Sequence, residues 1–121
     1  MSQAGSILLV LRHSPYSSQI AREALDAALT AAAFEVPVSL LFLNDGVYQL
    51  ISEQQPEQLR AKNLSKALPA LALYDIDQIY TSKSCLDIRG LNAAALCITA
   101  EPLDDAAVAR LFHQYQHILS F

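Results

Sequence analysis

The residues able to do covalent or metal chemistry are few in this chain of 121 residues: two cysteines, three histidines and a handful of hydroxyls and carboxylates beside them. Cys85 stands out, because it follows the polar run Thr81-Ser82-Lys83-Ser84. A thiol at the start of a helical turn, with a cation nearby, is favoured as thiolate and can act as a nucleophile or persulfide carrier. Lys83 is such a cation, and the turn is expected over residues 86–89, closed by Gly90. The competing reading is a half-buried thiol that packs the turn, since no base is fixed beside it by the sequence. Cys97 sits in Leu96-Cys97-Ile98 and reads as a small core residue in mid-strand.

The remaining candidates are weaker. His113 and His117 are four apart, a spacing that suits one helix face, but the helix should end between them and neither has a supporting ligand. No metal site is expected. His13-Ser14 lacks a nucleophile elbow and reads as a turn. The three glycines form neither a dinucleotide fingerprint nor a phosphate loop, so no nucleotide cofactor is expected. The magnesium-holding acids of a phosphorelay receiver are also missing, since Arg12 and His13 follow the first strand and Thr81 and Ser82 the third.

The elements that must position these residues follow from periodicity. Residues 7–11 and 36–43 are continuous apolar runs, the pattern of strands buried on both faces. Residues 76–80, 94–99 and 115–121 supply three more predicted strands. A helix is expected over 19–33, capped by Ser17 or Ser18, with Ile20, Ala24, Ala27, Ala28, Ala31 and Ala32 on its inner side and an Arg22–Asp26 pair outside. Residues 64–73 read as helix kinked at Pro69, after a polar loop over 52–62. Asp104 should cap a helix over 105–113, with Val108, Leu111 and Phe112 turned inward. Alternating strands and helices define an α/β fold, three layers with a five-stranded, mainly parallel sheet between helices. The length suits a single domain over residues 1–121.

Asn44-Asp45-Gly46 ends the second strand, with Gly46 free to take a positive φ. The segment Val47-Tyr48-Gln49-Leu50 then reads either as a core plug or as a contact surface for a partner. Composition bears on this choice. Apolar residues are 53% of the chain and charged residues 17%, an excess that suggests part of the surface is covered by another chain. The net charge of −4, with no run of Lys or Arg, argues against direct nucleic-acid binding. No apolar run is long enough to span a bilayer, and the first residues lack a signal peptide's pattern. Two cysteines without framework spacing fit a reducing, cytoplasmic setting.

Several segments together resemble a known family: residues 22–29 (Arg-Glu-Ala-Leu-Asp-Ala-Ala-Leu), 42–50 (Phe-Leu-Asn-Asp-Gly-Val-Tyr-Gln-Leu), 73–77 (Leu-Tyr-Asp-Ile-Asp), Arg89-Gly90-Leu91, and the closing Tyr115, Ile118, Leu119 and Phe121. In unbroken order they are similar to the DsrE/DsrF/DsrH sulfur-relay family, in its DsrF-like, TusC-type branch. The resemblance implies a subunit of a TusBCD-type complex, a heterohexamer built as a dimer of heterotrimers. TusB-like and TusD-like subunits would be its direct partners, with TusA-like and TusE-like sulfur carriers acting before and after. The implied role is in persulfide transfer for 2-thiouridine formation at the tRNA wobble position.

In that family the persulfide cysteine belongs chiefly to the TusD-like subunit, in the loop after the third strand, eight residues before a glycine. Counting back from Gly90 reaches Ser82. A serine hydroxyl stays protonated at neutral pH unless a base is fixed beside it, and it cannot form an S–S bond. The resemblance therefore implies a subunit with no intrinsic activity, with Ser82 at the family's cysteine position and Val47, Tyr48, Gln49 and Leu50 as its candidate interface. The alternative is a sulfurtransferase subunit that carries persulfide on Cys85.

Overall fold

A computed structural model describes residues 6–13, 20–50, 71, 73–74, 76, 78–91, 96 and 98–121. Its centre is the apolar pair expected from the sequence. Strand β1 (Ile7–Leu11) and strand β2 (Val38–Phe42) lie side by side in parallel, with Leu9 opposite Leu40, and nearly every residue of both is buried. Ser39 is the polar exception. Its hydroxyl accepts from Tyr115 at 2.7 Å and donates to Gln78 Oε1 at 3.1 Å, which makes its burial tolerable.

Helix α1 (Ile20–Ala33) crosses from β1 to β2. Ala24, Leu25 and Ala28 are buried against the sheet, and Arg22 pairs with Asp26 at 3.3 Å on the outside. The helix closes through Glu35 at φ 62, where Glu35 N–H reaches Ala32 O and Val36 N–H reaches Ala31 O. This is a Schellman ending, a role usually given to glycine. The proposed caps Ser17 and Ser18 lie outside the described residues, as do the loop over 52–62, Pro69 and Cys97.

Strand β3 (Ile79–Ser82) pairs in parallel with β2 and runs without a loop into helix α2 (Lys83–Ile88). The expected strand over 76–80 is thus corrected, since Thr81 and Ser82 belong to the strand and do not follow it, and the helical turn expected over 86–89 begins already at Lys83. The strand is shifted toward the C-terminus, and its last two residues are polar yet buried. Thr81 satisfies its hydroxyl on Phe42 O at 3.3 Å, which is why a hydroxyl run can be strand here.

The fourth strand is corrected as well. Strand β4 is Glu101–Leu103, while Leu96 within the expected 94–99 makes only an isolated bridge. Helix α3 (Asp105–His113) is capped as expected, with Asp104 accepting from Ala107 N–H at 2.7 Å. Leu111 is buried, and Val108 and Phe112 pack beside it. Strand β5 (His117–Ser120) pairs in parallel with β1.

The strand order is β4-β3-β2-β1-β5, all parallel. Two clusters form the core, one on each face. The larger gathers α1, α2 and the segment after β2 over Leu9, Leu40 and Phe42. The smaller sets α3 and Tyr115 against Leu8, Val10 and Leu41. The α/β class and the five-stranded sheet between helices are as expected from the sequence. Among the described residues no helix is long and apolar enough to cross a membrane.

Candidate functional site

In a parallel sheet, side chains available for chemistry collect where the strands end. Here the carboxyl ends of β2, β3 and β4 bring together the 3-10 segment Asn44–Leu50, the first turn of α2 and the start of α3. Gly46 sets how closely the 3-10 segment folds over β1. A Cβ on Gly46 would lie 1.8 Å from Leu11 O, so no side chain fits. Its expected positive φ belongs instead to Asn44, at φ 52.

Ser82 is the last residue of β3 and the N-cap of α2, and it is 3% exposed. Its Oγ accepts the N–H of Cys85 at 3.2 Å and lies 3.1 Å from Ser84 Oγ. Ser84 donates its single proton to Asp105 Oδ1 at 2.9 Å. The proton between the two serines must therefore come from Ser82. A directed chain runs from Ser82 through Ser84 to the first turn of α3. It ties two crossover helices together and employs the Ser82 hydroxyl as both donor and acceptor.

Cys85 occupies the first turn of α2 and is half-buried. Its sulfur accepts the backbone N–H of Asn44 at 3.2 Å and lies 3.9 Å from Asn44 Oδ1. Among the described residues, both polar contacts of the sulfur come from Asn44. The cation expected from Lys83 is not among them; Lys83 is exposed. Arg89 closes the far end of the helix. It donates to Cys85 O at 3.2 Å and pairs with Asp45 through Nη2 at 3.0 Å and Nε at 3.2 Å. Gly90, at φ 67, ends α2 in a second Schellman arrangement, with Leu91 N–H on Leu86 O.

The expected interface segment divides. Val47 and Leu50 are fully buried in the chain's own core and Gln49 is 1% exposed, with its Nε2 donating to His13 O at 2.9 Å. These three lend no side-chain surface to a partner and fill the core-plug reading. Tyr48 alone keeps part of its side chain exposed. Sequence reasoning missed the Asn44–Cys85 contact and the Ser84–Asp105 tie. Both link residues more than twenty positions apart, and neither leaves a periodic trace. His113 ends α3 and His117 opens β5, so the two do not share a helix. Among the described residues no cluster of three His, Cys, Asp or Glu is placed to hold a metal ion.

Comparison with known proteins agrees with this architecture. The chain overlays the crystal structure of the ychN protein from E. coli with a TM-score of 0.82 at 22% identity, covering 100% of both chains. It also overlays a conserved protein of unknown function, BT1422 from Bacteroides thetaiotaomicron, with a TM-score of 0.64 at 15% identity, covering 100% of this chain and 99% of that one. These likenesses establish the fold. Sequence relatives are nearer. A TusC homolog of Pseudomonas aeruginosa is 42% identical over 99% of both chains. A TusC homolog of Vibrio vulnificus is 35% identical over 93% of this chain and 95% of the relative. Residues 5–121 also match the pattern of one family from end to end, and the chain belongs to that family, the DsrE/DsrF-like proteins.

Proposed function

We propose that this chain is a non-catalytic subunit of a TusBCD-type sulfur-relay complex, supporting persulfide transfer for 2-thiouridine formation at the tRNA wobble position. The observation that carries the reading is the state of Ser82. At the place where the family resemblance puts a carrier cysteine, this chain has a buried hydroxyl already engaged on both sides. A hydroxyl cannot hold sulfane sulfur, and this one serves the helix cap instead. The chain's contribution would then come through contact with TusB-like and TusD-like subunits, with TusA-like and TusE-like proteins delivering and removing sulfur. The likeness to TusC homologs supports the same assignment.

The test is a deletion strain complemented with this chain and variants, with 2-thiouridine measured in total tRNA. Wild type and Cys85→Ser should restore thiolation equally. Failure of wild type to restore it would sink the reading.

A second reading has one observation in its favour. The Asn44 N–H aimed at Cys85 Sγ is a donor that would stabilise charge on the sulfur or on a persulfide attached to it. In that case Cys85→Ser would abolish thiolation while the protein still folds.

A further inference from the structure

Asp45 is the only acidic or amide-bearing residue of this chain that is followed by glycine. An Asp-Gly peptide is prone to isomerise, because glycine has no side chain to shield its own nitrogen. The Gly46 nitrogen can attack Cγ of Asp45. An N–Cγ bond forms, the carboxyl oxygen leaves as water with the amide proton, and a five-membered succinimide results. Water then adds back. Opening at the main-chain carbonyl leaves the backbone running through Cβ and Cγ of Asp45, as isoaspartate. One water is lost and one regained, and no oxidant, metal or cofactor enters.

Both reacting groups are held in the folded chain. Gly46 N–H donates to Leu43 O at 2.8 Å. The Asp45 carboxylate accepts from Arg89 Nη2 at 3.0 Å and Nε at 3.2 Å. Arg89 is itself anchored, with Nη1 on Cys85 O at 3.2 Å. The Asp45 side chain is 61% exposed and that of Arg89 only 20%. Among the described residues Arg89 is the one hydrogen-bond partner of this carboxylate. The grip therefore comes from α2, and water alone would leave the carboxylate free to turn.

The product would fall where the chain tolerates it least. Isoaspartate adds one backbone atom just before Gly46. There is no room at Gly46 for even one added carbon, which would lie 1.8 Å from Leu11 O. Val47 and Leu50 follow directly and are fully buried. A longer backbone pushes them out of register with their places in the core, and well-packed cores do not absorb such shifts.

We propose that Asp45-Gly46 is a site of spontaneous backbone isomerisation in this chain, and that Arg89 is the positioning residue that holds the reaction back by fixing the Asp45 carboxylate. When α2 lifts from the segment after β2, the grip is lost and the reaction proceeds. The isomerised chain then cannot reseat Val47 and Leu50. The chemistry belongs to the chain alone and does not depend on the role proposed for it.

The test incubates the purified full chain near neutral pH, folded and in denaturant, beside folded Arg89→Ala and Arg89→Lys. Isoaspartate is followed by peptide mapping, since the altered peptide keeps its mass but changes its retention and fragmentation. Arg89→Lys keeps the charge and gives up the two-nitrogen hold on Asp45. Expected is isomerisation at Asp45 that is slow in the folded wild type and fast in denaturant. Arg89→Ala should age about fivefold faster than folded wild type, the most that a partly exposed ion pair can hold back. Arg89→Lys should age faster than wild type by a smaller factor, and it carries the comparison if Arg89→Ala does not fold. Folded variants that age at the wild-type rate overturn the proposal. So does a folded wild type that ages as fast as the denatured chain, or isoaspartate that accumulates at other aspartates and not at Asp45.

Discussion

The β3–β4 side of the sheet and the β1–β5 side are built by opposite means. On the first, side chains do the joining. Ser82, Ser84 and Asp105 link a strand end to two helices, and Arg89 fastens α2 to Asp45. On the second, the backbone joins β5 to β1, and among the described residues an exposed side-chain contact between Arg12 and Ser120 accompanies it. The first side is closed by its own polar network, and the second leaves a strand open. The difference teaches that the end of β3 is spent on the chain's own cohesion, with Ser82 capping α2 and tying it to α3 through Ser84. The far edge is exposed along all four residues of β5.

Substitutions on the two sides should separate in size, and equilibrium denaturation of each variant measures them. In the sheet's centre, Leu41→Ala should cost about 3 kcal/mol, because a fully buried leucine leaves a cavity. Leu119→Ala at the open edge should cost below about 1 kcal/mol, since the side chain is largely hydrated already. Equal costs would mean that β5 is as covered as β2. Ser82→Ala should cost about 1–2 kcal/mol, losing the α2 cap and the tie to Ser84 together. Ser120→Ala should cost below about 0.5 kcal/mol, because its bond to Arg12 is exposed. If Ser120→Ala proved as costly as Ser82→Ala, the contrast between the two sides would be wrong. The smallest effect on the closed side is expected from Asp45→Ala. Its pair with Arg89 is largely open to water on the aspartate side and should contribute below about 1 kcal/mol.

Much of this fold is legible in the sequence where burial is carried by apolar residues. The runs that became β1 and β2 have no other reading, and Asp104 announces α3 through its cap. Legibility fails where a residue's type and its environment part company. Thr81 and Ser82 look like loop residues because they are polar, yet both are buried with their hydroxyls satisfied inside. Strand β4 is the converse, a genuine strand made of Glu101, Pro102 and Leu103, which no strand propensity favours. Its place comes from pairing with β3. The candidate site is legible only in part. Cys85 is locatable by type, but its partner Asn44 is 41 positions away and known only from the folded chain. Val47 and Leu50 could not be assigned to core or surface from sequence. Gly46, by letting the segment lie against Leu11, puts them in the core.

The central claim is that this chain carries no sulfur of its own. Incubating the purified protein with a persulfide donor, removing the donor and measuring the intact mass tests it most directly. The account predicts an unmodified mass and no sulfane sulfur released by a thiol. An adduct of about 32 Da on Cys85 that passes to an acceptor thiol, and that Cys85→Ser abolishes, would contradict it.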